Sequence, residues 1–273
     1  MKFSIVMPTL ANHKYFVDAC KHVISNTHEK FEFIIVYNGE QKRIAEVKDI
    51  ISNFNTITLV TAPQRSGIAK AYNLGFSNSR GQFIAFLHDD VIIEDNLWLN
   101  KLQGVLDKHH EIGLVGGSEP KYIDRSPKEI DMLYHKEGIL ECDWAPTISL
   151  TRREYIEDGC IFDEFYLIGI EDKDWALSFR RKGLKVAFYP VKHKHIGCQG
   201  SYTLFRHDRE LLDYYSKEGI RERYFIQKNK DVLKQKYYEQ VLNKWRHKDR
   251  DWRKKWWKEL YFKYYWEKIK SYF

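Results

Sequence analysis

The stretch Gly81-Gln82-Phe83-Ile84-Ala85-Phe86-Leu87-His88-Asp89-Asp90 decides how the chain is read. Five apolar residues, Phe83 to Leu87, run straight into a histidine and two aspartates. A short apolar run bounded by polar residues predicts a buried strand. The polar triplet then stands at the strand's carboxyl end. In an open α/β sheet that is the end where ligands bind.

Working outward from this strand, the pattern repeats. Upstream, strands are predicted at Phe3–Met7 (ended by Pro8), Phe31–Val36 (closed by Asn38-Gly39) and Ile57–Val60. Between them, Phe16, Ala19, Cys20, Val23 and Ile24 share one helical face. Ile44, Val47 and Ile51 mark a second helix, and Gly67 to Phe76 a third, with Ile68, Ala71, Tyr72 and Phe76 on one side. Downstream come a helix at Leu99, Leu102 and Leu106, then a strand at Ile112–Val115. Alternating strands and helices predict βαβ units, hence a mostly parallel sheet flanked by helices. The residues to inspect are those after each strand: Pro8-Thr9-Leu10, Asn38-Gly39-Glu40 and His88-Asp89-Asp90. Past residue 117 the alternation weakens, and Ser118 to Cys142 reads as a loop shaping a substrate site. A helix returns at Lys173–Arg181 and a strand at Val186–Tyr189, stopped by Pro190.

The chain has 273 residues, 43% hydrophobic and 30% charged, which excludes a wholly disordered polymer. No apolar run reaches the roughly 18–20 residues that span a bilayer. The first residues do not form a signal peptide, so a cytoplasmic protein is expected. Cys20, Cys142, Cys160 and Cys198 form no C-x-x-C pair, so free thiols are expected. The formal charge of +7 is local. Lys244 to Phe273 holds 11 Lys and Arg against 4 Asp and Glu, and residues 1–243 are neutral.

Three segments carry chemistry. His88-Asp89-Asp90 can offer carboxylates to a hard divalent cation that bridges to substrate phosphates; a surface turn is the plainer reading. Glu171-Asp172-Lys173-Asp174 opens a predicted helix with three carboxylates in four positions. Acidic residues favour a helix's first turn, but one of them can also be a general base. His193-Lys194-His195 follows the last strand, where a neutral imidazole can complete a metal site.

In their order along the chain these segments resemble the large family 2 of inverting glycosyltransferases, which have the GT-A fold. Ser4-Ile5-Val6-Met7-Pro8-Thr9 resembles the family's first strand and nucleotide-contacting turn. Arg65-Ser66-Gly67-Ile68-Ala69-Lys70-Ala71-Tyr72-Asn73-Leu74-Gly75 resembles its N-x-G-x-a-x-a-x-N-x-G helix. Gly81 to Asp90 resembles the strand that delivers D-x-D. Asp143-Trp144, Arg152-Arg153-Glu154, Gly159 and Phe162-Asp163-Glu164 resemble the acceptor-side segment. Glu171 to Asp174 resembles E-D-x-D, and His195-Ile196-Gly197 the histidine after it. The likeness spans about residues 3–201.

The resemblance implies a Rossmann-like domain over residues 1–201, with a nucleotide-sugar-binding half (1–117) and an acceptor-side half (118–201). It implies Asp172 as general base, and Asp90 with His195 as ligands of Mn²⁺ or Mg²⁺. Pro8, Thr9, Asn38, Arg65, Gly67, Asn73, His88 and Asp89 fall on the nucleotide-sugar side. The chain departs from the pattern at His88, where the first Asp of D-x-D is usual, and at Asn38, where Asp is common. Asn both donates and accepts, so it can still read a uracil edge. The implied reaction moves a sugar with inversion from a nucleotide-diphosphate-sugar, UDP-sugar favoured, to a hydroxyl of a glycan or lipid-linked acceptor.

Residues 202–273 lie beyond the likeness and read as a helical extension. Trp245, Trp252, Trp256, Trp257 and Trp266 are interleaved with lysine and arginine, and Trp252, Trp256, Leu260 and Tyr264 form an i, i+4 stripe. Such a helix suits the interface of the cytoplasmic membrane face. The same stripe can instead pack on the catalytic domain or on a second copy in a homodimer; nucleic acid is the weaker expectation. Two other functions compete. A nucleotidyltransferase would carry glycine where Leu10-Ala11-Asn12-His13 stands. A non-catalytic module would use the tail to grip RNA or another anionic polymer, with strong salt dependence.

Overall fold

The computed structural model describes residues 1–11, 15–64, 66–118, 137–142, 145, 147–166 and 171–196, with Val232 alone beyond them. In chain order the elements are β1 (Phe3–Thr9), α1 (Tyr15–Ser25), β2 (Phe31–Tyr37), α2 (Ile44–Ser52), β3 (Ile57–Thr61), α3 (Ile68–Ser77), β4 (Phe83–Leu87), β5 (Val91–Ile93), α4 (Trp98–Lys108) and β6 (Ile112–Ser118). They continue as β7 (Leu140–Glu141), β8 (Ile148–Arg152), α5 (Arg153–Glu157), α6 (Glu171–Arg181), β9 (Lys185–Pro190) and β10 (His193–His195).

Eight strands form one sheet in the order β3-β2-β1-β4-β8-β6-β9-β7. The pairs β1·β2, β1·β4, β2·β3 and β6·β9 are parallel, as the alternating pattern predicts. After β1 the chain builds outward through β2 and β3. It then crosses back over α3 and lays β4 on the other side of β1. That reversal opens a crevice beyond the ends of β1 and β4.

The sheet is covered on both faces. Phe3, Ile5 and Met7 of β1 pack with Phe16, Val23, Val47, Trp98 and Leu102 of α1, α2 and α4. Val6 faces the other way, with Ala71 and Tyr72 of α3 and Trp175 and Phe179 of α6. Alternate residues of a strand point to opposite faces, so a doubly covered strand is apolar throughout. All seven residues of β1 are buried accordingly.

Two features differ from the sequence expectation. Pro8 lies inside β1 rather than ending it, paired with Val36. The β1·β4 register stops at Val6, so one side of β1 is open there and the missing N–H is tolerated. β8 has no counterpart in the pattern reading. Ile148-Ser149-Leu150-Thr151 alternates, which suggests a half-exposed strand, yet all four are buried. β8 runs antiparallel between β4 and β6, and the Thr151 hydroxyl is satisfied by donating to the Gly113 carbonyl at 2.7 Å.

Candidate active site

The ends of β1 and β4 are joined directly. Thr9 Oγ1 donates to Asp89 Oδ2 at 2.6 Å. The same hydroxyl accepts from the Ala11 N–H at 2.8 Å. It holds a turn in which Ala11, a non-glycine residue, sits at φ 49°. Arg43 secures the other side of that turn by donating to the Ala11 carbonyl at 2.9 Å. A left-handed alanine costs energy and persists only where its surroundings fix it.

The loop after β2 closes on the same crevice. Asn38 is buried, its N–H donates to the Thr9 carbonyl at 3.2 Å, and its amide donates to the Gly67 carbonyl at 3.2 Å. Gly67 precedes α3 with φ 85°, a conformation open to glycine. Pro8, Thr9, Asn38 and Gly67 thus meet at one end of the sheet. Asn73 lies on α3 and is tied to the Phe162–Glu164 segment. Its amide donates to the Phe162 carbonyl at 2.9 Å and to Glu164 Oε1 at 3.2 Å, and its Oδ1 accepts from the Phe162 N–H at 3.2 Å.

Beyond β4 the chain turns through His88, whose N–H donates to the Thr147 carbonyl at 3.1 Å, into β5. β5 pairs antiparallel with β10, setting His195 opposite Val91. This two-stranded ribbon delivers His195 to Asp90, with Nε2 3.2 Å from Oδ1. The rings of His88 and His195 stand 5.8 Å apart and nearly perpendicular. One donor atom from each of His88, Asp90 and His195 lies within 4.8 Å of the others. Donors on one ion, each at about 2.1 Å, sit at most about 4.2 Å apart. The set is only slightly wider than a closed ligand shell, and its donor types fit a divalent metal.

Asp172, in the first turn of α6, accepts from the Lys173 N–H at 2.8 Å. Burial raises its pKa above the ordinary aspartate value, against the opposing pull of Lys173 and His88. Burial pushes the His88 imidazole down, while Asp90, Asp89 and Asp172 pull it up. Asp172 and the His88–Asp90–His195 group therefore share one electrostatic field, although they come from distant parts of the chain.

Tyr72 feels the same charges. Its hydroxyl donates to the Leu87 carbonyl at 3.2 Å. Burial, then the charges of Glu171, Asp89, Asp90 and Asp172, drives its phenol well above the usual range. The sequence reading placed Tyr72 on the buried face of its helix without assigning this contact; the available signal was a phenol on a buried helical face, which needs an acceptor.

Asp95 was also missed. It is buried, and it accepts from Lys101 Nζ at 2.6 Å, the Leu97 N–H at 3.1 Å and the Lys192 N–H at 3.3 Å. It anchors the start of β10 to α4. Arg65, Asp143-Trp144, Gly169-Ile170, Gly197 and the tail at 244–273 lie outside the described residues. Cys20 and Cys160 carry buried free thiols and Cys142 is buried, while Cys198 lies outside the described residues.

Comparison with known proteins bears on the family and the fold. The profile of "Glycosyl transferase family 2" matches residues 4–206. The glycosyltransferase GlyG of Streptococcus pneumoniae is 26% identical over 110 residues, covering 40% of this chain and 36% of GlyG. The glucosyl-dolichyl phosphate glucuronosyltransferase of Haloferax volcanii is 25% identical over 131 residues, 47% of this chain and 42% of that protein. The matches span less than half the length of either relative. Among solved structures, Pyrobaculum calidifontis mannosyltransferase PcManGT, in complex with GDP-Man and Mn²⁺, aligns with TM-score 0.56 at 15% identity, covering 85% of this chain and 69% of that one. S. aureus TarS in complex with UDP-GlcNAc aligns with TM-score 0.54 at 16% identity, covering 74% and 62%. At such identities the likeness carries the fold, which is the GT-A arrangement expected from the motifs. With a family profile that covers most of its length, the chain belongs to glycosyl transferase family 2.

Proposed function

We propose that the protein is an inverting, metal-dependent glycosyltransferase. It moves a sugar from a nucleotide-diphosphate-sugar, UDP-sugar favoured, to a hydroxyl of a glycan or lipid-linked acceptor. The observation that carries this reading is the convergence of Asp172 with the His88–Asp90–His195 group beside the β1/β4 crevice. Inversion needs a base on the acceptor side and charge neutralisation on the leaving-group side.

Asp172 takes the acceptor proton as the hydroxyl attacks the anomeric carbon, and its raised pKa makes it a stronger base than an exposed aspartate. Asp90 and His195, with His88 beside them, would hold a divalent cation, Mn²⁺ or Mg²⁺ by the resemblance, which when bound would neutralise charge on the departing diphosphate. Pro8, Thr9, Asn38 and Gly67 bind and orient the nucleotide, and the guanidinium of Arg65 is the candidate phosphate ligand by its chemistry. Asp89 keeps the β1 turn in place through Thr9. Asn73 fixes the acceptor-side segment against α3.

The tail at 244–273 holds the enzyme to the cytoplasmic membrane face, near a lipid-linked acceptor. Among the described residues no helix is long and apolar enough to cross a membrane. Anchoring by the tail rests on charge and aromatic side chains, each basic residue adding about 1 kcal/mol at an anionic surface.

Thermal stability of the full chain against UDP, GDP, dTDP and CMP, each with and without Mn²⁺, tests the donor side. A ligand that binds only the folded state raises the melting temperature. A metal-dependent shift with one nucleotide, UDP first, is expected. No shift with any of the four defeats the donor reading and favours the polymer-binding alternative.

A further inference from the structure

The ion site has an unusual donor set for a hard cation. Its single grouped carboxylate is Asp90, and the other two donors are imidazoles. The neighbouring Asp89 is engaged at Oδ2 by the Thr9 hydroxyl at 2.6 Å. The histidines are also independently placed. The backbone of His88 is held by its N–H bond to Thr147, and that of His195 by the β5·β10 register. Their rings stand 5.8 Å apart and nearly perpendicular.

We propose that His88, Asp90 and His195 form a two-imidazole, one-carboxylate site that selects a first-row transition-metal dication (Mn²⁺, Fe²⁺, Co²⁺ or Zn²⁺) and binds Mg²⁺ poorly. Imidazole nitrogen suits these ions, whereas Mg²⁺ takes oxygen donors and gives up water reluctantly. Two histidines and a carboxylate that leave positions open are also the donor set of mononuclear Fe²⁺ sites. The open positions leave room for diphosphate oxygens. His88 is thus the residue that sets ion identity, a role the resemblance alone does not give it.

The inference rests on the metal-site part of the proposed function, and not on the nucleotide or the acceptor. Its test is direct ion binding by the full chain after chelator treatment, without nucleotide. Thermal shift is titrated with Mg²⁺, Mn²⁺, Co²⁺ and Zn²⁺, and the visible spectrum is recorded with Co²⁺. Mn²⁺ and Co²⁺ should bind at least about tenfold more tightly than Mg²⁺, with Co²⁺ bands that report nitrogen ligation. His88→Asp should shrink that ratio by restoring an oxygen donor, and Asp90→Asn should weaken every ion.

Equal affinity for Mg²⁺ and Co²⁺ in the parent chain would overturn the selectivity. So would an unchanged ratio in a folded His88→Asp variant. Failure of the metal site itself looks different: Asp90→Asn and His195→Ala would then leave all ion binding intact. Failure of the glycosyl-transfer reading would leave these ion results untouched and appear only in the nucleotide assay.

Discussion

Asp172 is held in its site at a cost to stability. Burial raises its folded pKa, so its contribution to stability is present when it is protonated and is lost as pH rises through that raised value. At neutral pH the ionised carboxylate is therefore a liability. Asp172→Asn should hold or raise the melting temperature at pH 7 while cutting transfer by about 10²–10⁴-fold. Calorimetry beside an initial-rate assay checks both halves. Full activity in the folded variant would remove Asp172 from the mechanism. The same shift predicts that turnover falls on acidification at a pH above the ordinary aspartate range, because the base is then protonated. A rate–pH profile of the parent chain reads this directly. Asn73 makes a different residue-scale case. Asn73→Ala leaves the buried Phe162 N–H and carbonyl without their side-chain partners, and should cost about 1–3 kcal/mol in a denaturant titration.

At the scale of elements, two placements matter most. α3 lies tightly against the sheet because Gly75 allows it. A Cβ there would stand 2.2 Å from Val6 Cγ1 and 3.0 Å from Val36 Cγ2. Gly75→Ala should therefore destabilise by about 1–3 kcal/mol through overpacking, despite alanine's better helix propensity. A rise in the denaturation midpoint would contradict the packing account. The β5·β10 ribbon is the second placement. Asp95 ties the approach to β10 onto α4, and Lys194 pairs with Glu94 across the ribbon. Loosening that approach by Asp95→Asn should weaken ion affinity at His195 more than it changes nucleotide binding measured without metal. The ratio of the two affinities separates positioning from general destabilisation.

Across the whole molecule, the charge of the chain lies apart from its chemistry. Residues 1–243 are neutral by formal count, and the excess of +7 sits in the last thirty residues. Binding to anionic vesicles should depend on residues 244–273 and fall steeply with salt. Removing them should abolish vesicle sedimentation while leaving the nucleotide-induced thermal shift. Vesicle binding that survives the truncation would place the membrane contact elsewhere.

How much of this was legible in sequence depended on the kind of interaction involved. Strands β1 to β4 and helices α1 to α4 were readable because burial on both sheet faces leaves unbroken apolar runs, and amphipathic helices leave a 3.6-residue period. Asp90, Asp172 and His195 were named through the family resemblance; by spacing alone each of their segments also allowed a plainer structural reading. Other facts belong to partners far apart in the chain. β8 escaped notice because Ser149 and Thr151 look exposed until β6 and a carbonyl cover them. Asn73 could not be placed against Phe162, nor Asp89 under Thr9, because such bonds depend on where α3 and β1 lie in space. The sequence by itself determined the alternation, hence the sheet, and the order of its chemical groups. Only the tertiary structure decided which groups meet. The crossing from β3 back to β4 opens the crevice, and the short ribbon carries His195 to Asp90.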